Sequence, residues 1–372
     1  MLSENVISKL ESNRNRRLKG ELVAIPYSLN RLSEYLPGIE QGKYYIVTSA
    51  QKGAKTQFTD YMFVFNVVDW YIANKDNTSI KPKIFYFSLE ISKELKILSA
   101  ISYKLFKSHN IIISPQKLRS VFSSYILDEK ILNIIKSSEF QEWLRIFEEI
   151  VVINDNIRNP TGILKFVNSY AEKNGKQTYT TMDWEENGKI IQKKKKDAYY
   201  PNNPDEFVIV ITDHIGLLNP EKGMSLHETM SLFSSNYCLQ LRDKYNYSIV
   251  NVQQQSAQSQ DSAFDFKGGL VVDKVKPTPY GLADNKLTAR DCNLMFGLFY
   301  PYYYNIENYH GLNLNRIGND HRELSILLNR DGLSNLSIDL MFLGAANQFK
   351  ELPRDVNESV YKRIEEFKRN EI

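Results

Sequence analysis

The chain has 372 residues, 42% of them hydrophobic, with 47 basic and 44 acidic side chains and a net charge of +3. That length suits one large α/β domain with additions, or two domains, and the near-even charge excludes reading nucleic-acid binding from net charge, so any such surface must be local. Two cysteines without CxxC spacing, Cys238 and Cys292, speak for a reducing compartment and against a structural zinc; with no signal-peptide core, and Asn66 and Asp69 breaking the best apolar run, the expectation is a soluble, cytoplasmic protein without a membrane span.

Residues 1–20 form a polar, basic segment in which Leu2, Val6, Ile7 and Leu10 share one helical face, with Ser3 as N-cap. Such a helix buries almost nothing alone. It docks on its own domain or on a neighbouring subunit, and the sequence leaves both open.

From Glu21 to Pro353 the pattern alternates β and α. Tyr44–Val47 reads as a short buried strand and the apolar run from Phe58 to Ile72 as a helix. Between them lies Ser49, Ala50, Gln51, Lys52, Gly53, Ala54, Lys55 and Thr56, which matches the phosphate-binding pattern GxxxxGK[ST] at its lysine and hydroxyl but not at its first and last glycines, where Ser49 and Ala54 stand. Strand, turn and helix is the order the chemistry needs, because a helix N-terminus presents unpaired N–H groups to an anion. A Cβ at Ser49 or Ala54 falls where the backbone must approach phosphate closely or adopt positive φ, so slow or lost turnover is a live expectation.

Further strands are expected at 83–87, 150–153, 207–211, 248–252, 294–299, 323–328 and 336–341. Several are continuous apolar runs, the pattern of strands covered on both faces by helices, so a mostly parallel sheet follows. Residues 175–205 break the rhythm: two polar strand-like segments flank Asn187-Gly188, which reads as an inserted β-hairpin. Its run Lys193 to Lys196 is either a solvated charge run or a phosphate contact. Residues 354–372 carry Val356, Val360, Ile364 and Phe367 at helical spacing and read as a C-terminal amphipathic helix.

Four strand ends deliver polar groups. Glu90 follows Phe85–Leu89 and can polarise a water for attack on a γ-phosphate, or can simply start a helix. Asp213 ends Phe207–Thr212, where an acid can hold magnesium with Thr56, or cap a helix. Ser248–Val252 runs into Gln253, Gln254 and Gln255, and a glutamine at that strand end can sense a γ-phosphate or merely begin a polar loop. Arg330 ends Ser325–Asn329 and can stabilise transition-state charge, in cis or from a neighbour, or be a surface arginine at a turn.

Together these segments resemble the RecA-like motor domain of DnaB-type replicative helicases. The stretch from Gly20 to Thr56, with Leu32, Gly38 and Gly42, is similar to that family's lead-in to its phosphate loop, and FYFSLEIS at 85–92 is close to its SLEMS signature. The resemblance implies a RecA-like P-loop NTPase core of α/β class at 21–353, with 175–205 as a β-hairpin insertion and 1–20 as a linker helix. It implies ATP and Mg2+ as cofactors, with Glu90 as catalytic base, Lys55 and residues 49–56 on the phosphates, Thr56 and Asp213 on the metal, Gln254 as phosphate sensor and Arg330 as a finger reaching the next subunit's nucleotide. Lys267, Lys274, Lys276, Asn285 and Lys286 would contact DNA from loops facing a ring's channel, as backbone-tracking groups do without reading sequence. The implied activity is an ATP-dependent replicative helicase translocating on single-stranded DNA as a homo-hexamer, in replication of a bacteriophage or other mobile element in the host cytoplasm. A loader or primase partner is left unknown.

Departures are specific. Leu328 stands where the family often has lysine, Ser99 where it has arginine, and His214 where it has tyrosine, the last expected to pack rather than catalyse. The alternatives are a RecA-like nucleotide-binding or structural protein without turnover and a RecA-like recombinase. Tyr300, Tyr302, Tyr303 and Tyr304 are read as closing a core edge rather than stacking on bases.

Overall fold

Successive residues of the central strands are buried into opposite hydrophobic clusters, and this fixes the architecture. Tyr45 and Val47 join Ile84, Tyr86, Ile209, Ile211 and Val250 on one face, while Tyr44 and Ile46 join Phe85, Phe87, Val208, Val210 and Ile249 on the other. A strand with two apolar faces must be covered twice. The first face takes the helical run from Phe58 to Val68 and the helix Ser138–Ile150; the second takes the helices Pro160–Lys173 and Leu226–Leu232.

The computed structural model describes residues 2–369 apart from 21, 187, 188, 263, 265–268, 335 and 355. In chain order the described strands are β1 Tyr44–Ser49, β2 Lys81–Ser88, β3 Val151–Asn154, β4 Gly175–Glu186, β5 Lys189–Pro201, β6 Glu206–Asp213, β7 Ser248–Gln254, β8 Leu294–Phe299, β9 Asn308–Tyr309, β10 Leu312–Asn313, β11 His321–Asn329, β12 Ser337–Leu343 and β13 Gln348–Glu351. Nine of them form one sheet in the order β13-β12-β11-β8-β1-β7-β6-β2-β3. From β3 to β8 every pairing is parallel, and β11, β12 and β13 extend the β8 edge antiparallel. The sheet is therefore mostly parallel, as the apolar runs predict, with an extra edge strand at β13 that its short, mixed sequence concealed.

Strands β4 and β5 pair antiparallel with each other and not with the main sheet, so the inserted hairpin is present. Its predicted turn, Asn187-Gly188, lies outside the described residues. The base is fixed by the Tyr199 hydroxyl, which donates to Ala171 O at 2.9 Å, and by Asn202 N to Asn174 O at 2.8 Å.

The helix Leu2–Leu18 leaves Val6, Ile7 and Leu10 more than half exposed. Its far end is tied down, with Arg16 donating to Ser79 Oγ at 2.8 Å. Among the described residues, Val6, Ile7 and Leu10 of that face are not packed on the core. The C-terminal helix Glu358–Arg369 does pack inward, burying Tyr361 and Ile364, and Arg316 bridges Glu358 and Glu365 across it.

Candidate functional site

The segment from Ala50 to Ala54 turns the chain from β1 into a helix that starts at Lys55 and runs, through a π-helical stretch Tyr61–Phe65, to Asn74. Two residues of the turn carry positive φ, Lys52 at 63° and Ala54 at 71°. For an alanine that region costs about 1–2 kcal/mol. Ser49 costs nothing of this kind, since it is the extended last residue of β1, so the two missing glycines are not equivalent. Gly53 is required by space: a Cβ there would sit 2.6 Å from both Cβ and Oγ of Ser49. The first N–H groups of an α-helix have no partner within it.

Below the loop, Thr56 Oγ1 donates to Asp213 Oδ1 at 3.1 Å, with both residues buried. The other carboxylate oxygen is held elsewhere: Tyr86 OH donates to Asp213 Oδ2 at 2.8 Å, and the Lys96 ammonium lies 3.4 Å from the same atom. Lys96 is itself buried, donates to both oxygens of Asp60 at 2.9 and 3.0 Å, and sits 4.2 Å above the Tyr86 ring. Burial pushes the Asp60 carboxyl upward, against the pull of Lys96, and pushes the Tyr86 phenol well above its ordinary value. The Thr56 hydroxyl at the helix start and Asp213 Oδ1 at the end of β6, bonded to each other, are hard oxygen donors of the kind magnesium takes with phosphate oxygens, so these residues fit that ion.

Glu90 is exposed in the turn after β2, two residues past Ser88, whose register partner is Asp213. Leu89 N donates to Asp213 O at 2.7 Å, which ties that turn to the end of β6. His214, expected only to pack, lies within electrostatic reach of Lys55, Asp213 and Glu90; burial and the Lys55 charge lower its pKa from 6.5, so the ring is neutral near pH 7. Of the three glutamines, Gln253 donates its amide to Ala283 O and Asn285 O, and Gln255 donates to Thr48 Oγ1 at 3.0 Å and Thr278 O at 3.0 Å. Gln254 alternates to the opposite face of β7, half-buried, as register partner of Ser49.

Arg330 is exposed and remote. Its backbone N donates to Asn293 O, its guanidinium binds the Cys292 and Arg290 carbonyls, and Asn293 also pairs with Tyr44 at the start of β1. The phosphate loop follows the other end of β1, five residue steps or roughly 17 Å away. Arg330 is not brought to this chain's own loop.

Beside the loop is a cavity of about 590 Å3 lined by Lys52, Tyr300, Tyr302, Tyr303, Arg322 and Phe342, among others. Arg322 donates to Lys52 O at 3.3 Å and stacks 3.7 Å from the Tyr300 ring centre. Burial lowers its pKa to about 10, which leaves it charged at neutral pH. Tyr300 is buried, as a core edge requires, yet it and two of its neighbours also wall this cavity. Nothing in the sequence pointed to Arg322, which lies in a strand between two polar residues.

The loop residues predicted to meet DNA divide. Lys274 and Lys286 are exposed. Lys276 is half-exposed and paired with Asp273 at 3.3 Å and Glu323 at 3.9 Å. Asn285 is buried and caps Leu287 N while donating to His227 O and Ser231 Oγ. The Asn285 side chain braces its own loop. Lys267 lies outside the described residues.

Two solved structures share the architecture. One, an ATPase domain, is 16% identical, with a TM-score of 0.61 over 95% of this chain and 99% of that one. The other, a DnaB-like replicative helicase described with its interactions with primase, is 16% identical with a TM-score of 0.63, covering 95% of this chain and 67% of that one. The chain has the fold of a DnaB-type helicase ATPase domain. No family model and no curated protein matches it. Within this DnaB-type fold, Lys55, Thr56, Asp213, Gln254 and the Glu90 turn converge on the carboxyl ends of β1, β2, β6 and β7, where parallel sheets carry their ligand sites. Among the described residues no helix is long and apolar enough to cross a membrane.

Proposed function

We propose that this chain is the motor of an ATP-dependent replicative DNA helicase acting on single-stranded DNA as a ring, with each nucleotide between two copies. The observation that carries the reading is the 3.1 Å contact between Thr56 and Asp213 directly under the loop of residues 49–56. The motor is residues 21–353, with 1–20 as the linker helix and 354–372 as a packed tail. Exposure of Val6, Ile7 and Leu10 supports docking of that linker on a neighbouring copy.

The loop amides and Lys55 hold the phosphates, and the nucleoside end enters the cavity walled by Tyr300, Tyr303 and Arg322. Thr56 and Asp213 would hold magnesium, which when bound neutralises charge on the β- and γ-phosphates. Glu90 accepts a proton from the attacking water; an oxygen–phosphorus bond forms, the bond to the bridging oxygen breaks, and ADP carries the leaving charge. Gln254 positions the γ-phosphate end. Arg330 acts on the site of the next copy, since its own loop is roughly 17 Å away. DNA is tracked by Lys274, Lys286 and the segment around Lys267. The site of action is the cytoplasm of a bacteriophage's host.

ATP hydrolysis by the purified chain should rise when single-stranded DNA is added. Glu90→Gln should lower it by about 10²–10⁴-fold while nucleotide still binds, and Lys55→Ala should weaken binding itself. A second reading, binding without turnover, is favoured by Ala54 at positive φ and by Leu328 in place of a cation. Binding with no hydrolysis in either the parent or Glu90→Gln would select it.

A further inference from the structure

Charged side chains are rarely buried without purpose, and the Asp60–Lys96 pair lies behind Asp213 rather than in front of it. Lys96 and Asp60 are each 4% exposed, and their polar partners are one another, Tyr86 and Asp213. What they face is the back of the metal-holding carboxylate. Asp213 Oδ2 receives the Tyr86 hydroxyl at 2.8 Å and lies 3.4 Å from Lys96 Nζ, while Lys96 also donates to the Tyr86 oxygen. Asp60 fixes Lys96 through two bonds of 2.9 and 3.0 Å. A carboxylate whose one oxygen is engaged twice cannot rotate freely, and its other oxygen, Oδ1, is left directed at Thr56.

We infer that Lys96, Tyr86 and Asp60 form a positioning relay that orients Asp213 toward a magnesium–nucleotide complex, and that registers the Glu90 turn against it. The inference rests on the proposed reading of Thr56 and Asp213. Connectivity supplies the second half: Lys96 stands at the fourth position of the helix Lys93–His109, whose N-cap is Ser92, two residues after Glu90. Asp60 comes from the helix that begins at the phosphate loop, and Asp213 from β6. One ammonium thus joins the three segments that carry Thr56, Glu90 and Asp213. A purely stabilising role would not require it, because a buried ion pair is often neutral or worse than apolar residues of similar size.

The test is the magnesium dependence of nucleotide binding, read by fluorescence of an N-methylanthraniloyl ADP without any turnover. Lys96→Met/Asp60→Leu removes one positive and one negative charge, so the local net charge is unchanged and only the hold on Asp213 is lost. Its magnesium midpoint should rise about 10- to 100-fold, the range for removing partners that orient a metal ligand. Metal-free nucleotide affinity should stay within about twofold of the parent, because the loop amides and Lys55 are untouched. Tyr86→Phe, which keeps the packing, should shift the midpoint in the same direction by less, and it decides the matter if the double variant does not fold. An unchanged midpoint in a folded variant overturns the relay. A parent that binds no nucleotide overturns instead the reading of the site on which it rests.

Discussion

Gly53→Ala is the sharpest steric test of the loop, because its damage should be reversible at one other position. The added Cβ would lie 2.6 Å from Ser49 Cβ and Oγ and 3.1 Å from Ala50 O. Carbon atoms prefer about 3.5–4.0 Å, so the overlap with Ser49 is close to an ångström. Ser49 cannot retreat, being fully buried at the end of β1, and overpacking of this kind costs about 1–3 kcal/mol. In a Ser49→Gly background both offending atoms are gone, and the remaining 3.1 Å approach to Ala50 O needs a shift of only a few tenths of an ångström. Urea unfolding of the parent, both single variants and the double variant should therefore give a coupling of about 1–2 kcal/mol, with the double more stable than the sum predicts. Nucleotide binding should follow the same pattern, lost in Gly53→Ala and partly restored in the double. Additivity within about 0.5 kcal/mol would refute the steric account.

If Arg330 works across an interface, Glu90→Gln and Arg330→Ala chains mixed in equal amounts should recover roughly a quarter of the intact sites, whereas each alone hydrolyses little; no recovery in the mixture places Arg330 elsewhere. Cys238 and Cys292 are both buried, and burial pushes each thiol up to about 12, so neither should react with a thiol reagent at pH 8 until the chain is unfolded, when both should. Burial alone would raise the Asp339 pKa, but the hydrogen bonds and charge of His321 and His310 lower it below 3.8. The folded state thus favours the ionised form, a contribution present above the unfolded pKa and lost as pH falls through the folded one. Asp339→Asn should flatten the acid limb of the stability curve, measured by urea unfolding from about pH 5 to 3.

The strands were legible because burial on two faces leaves runs such as Phe207–Ile211 with no polar residue, and that pattern survives without any knowledge of pairing. Strand order and the antiparallel edge were not, since direction depends on the connections and not on the apolar run itself. At the site, the loop and the strand-end acid could be read because each sits where a strand stops. The relay behind them could have been noticed: Asp60 interrupts the apolar stretch from Phe58 to Phe65, and Lys96 shares a helical face with the buried Ala100 and Tyr103. A charge on each of two buried faces predicts a mutual partner. The burial of Asn285 was not legible, since a polar residue in a polar loop carries no sign in sequence that its side chain caps Leu287 N.

The distance between Arg330 and its own loop has a kinetic consequence. If Arg330 completes a neighbour's site as proposed, a lone copy would hold the phosphates but lack the group that answers the transition state, and dilution should convert a hydrolase into a nucleotide binder. Specific activity would then depend on protein concentration, falling below the point at which copies separate, while affinity for nucleotide holds. The motor's clock, on this account, is set by its neighbours.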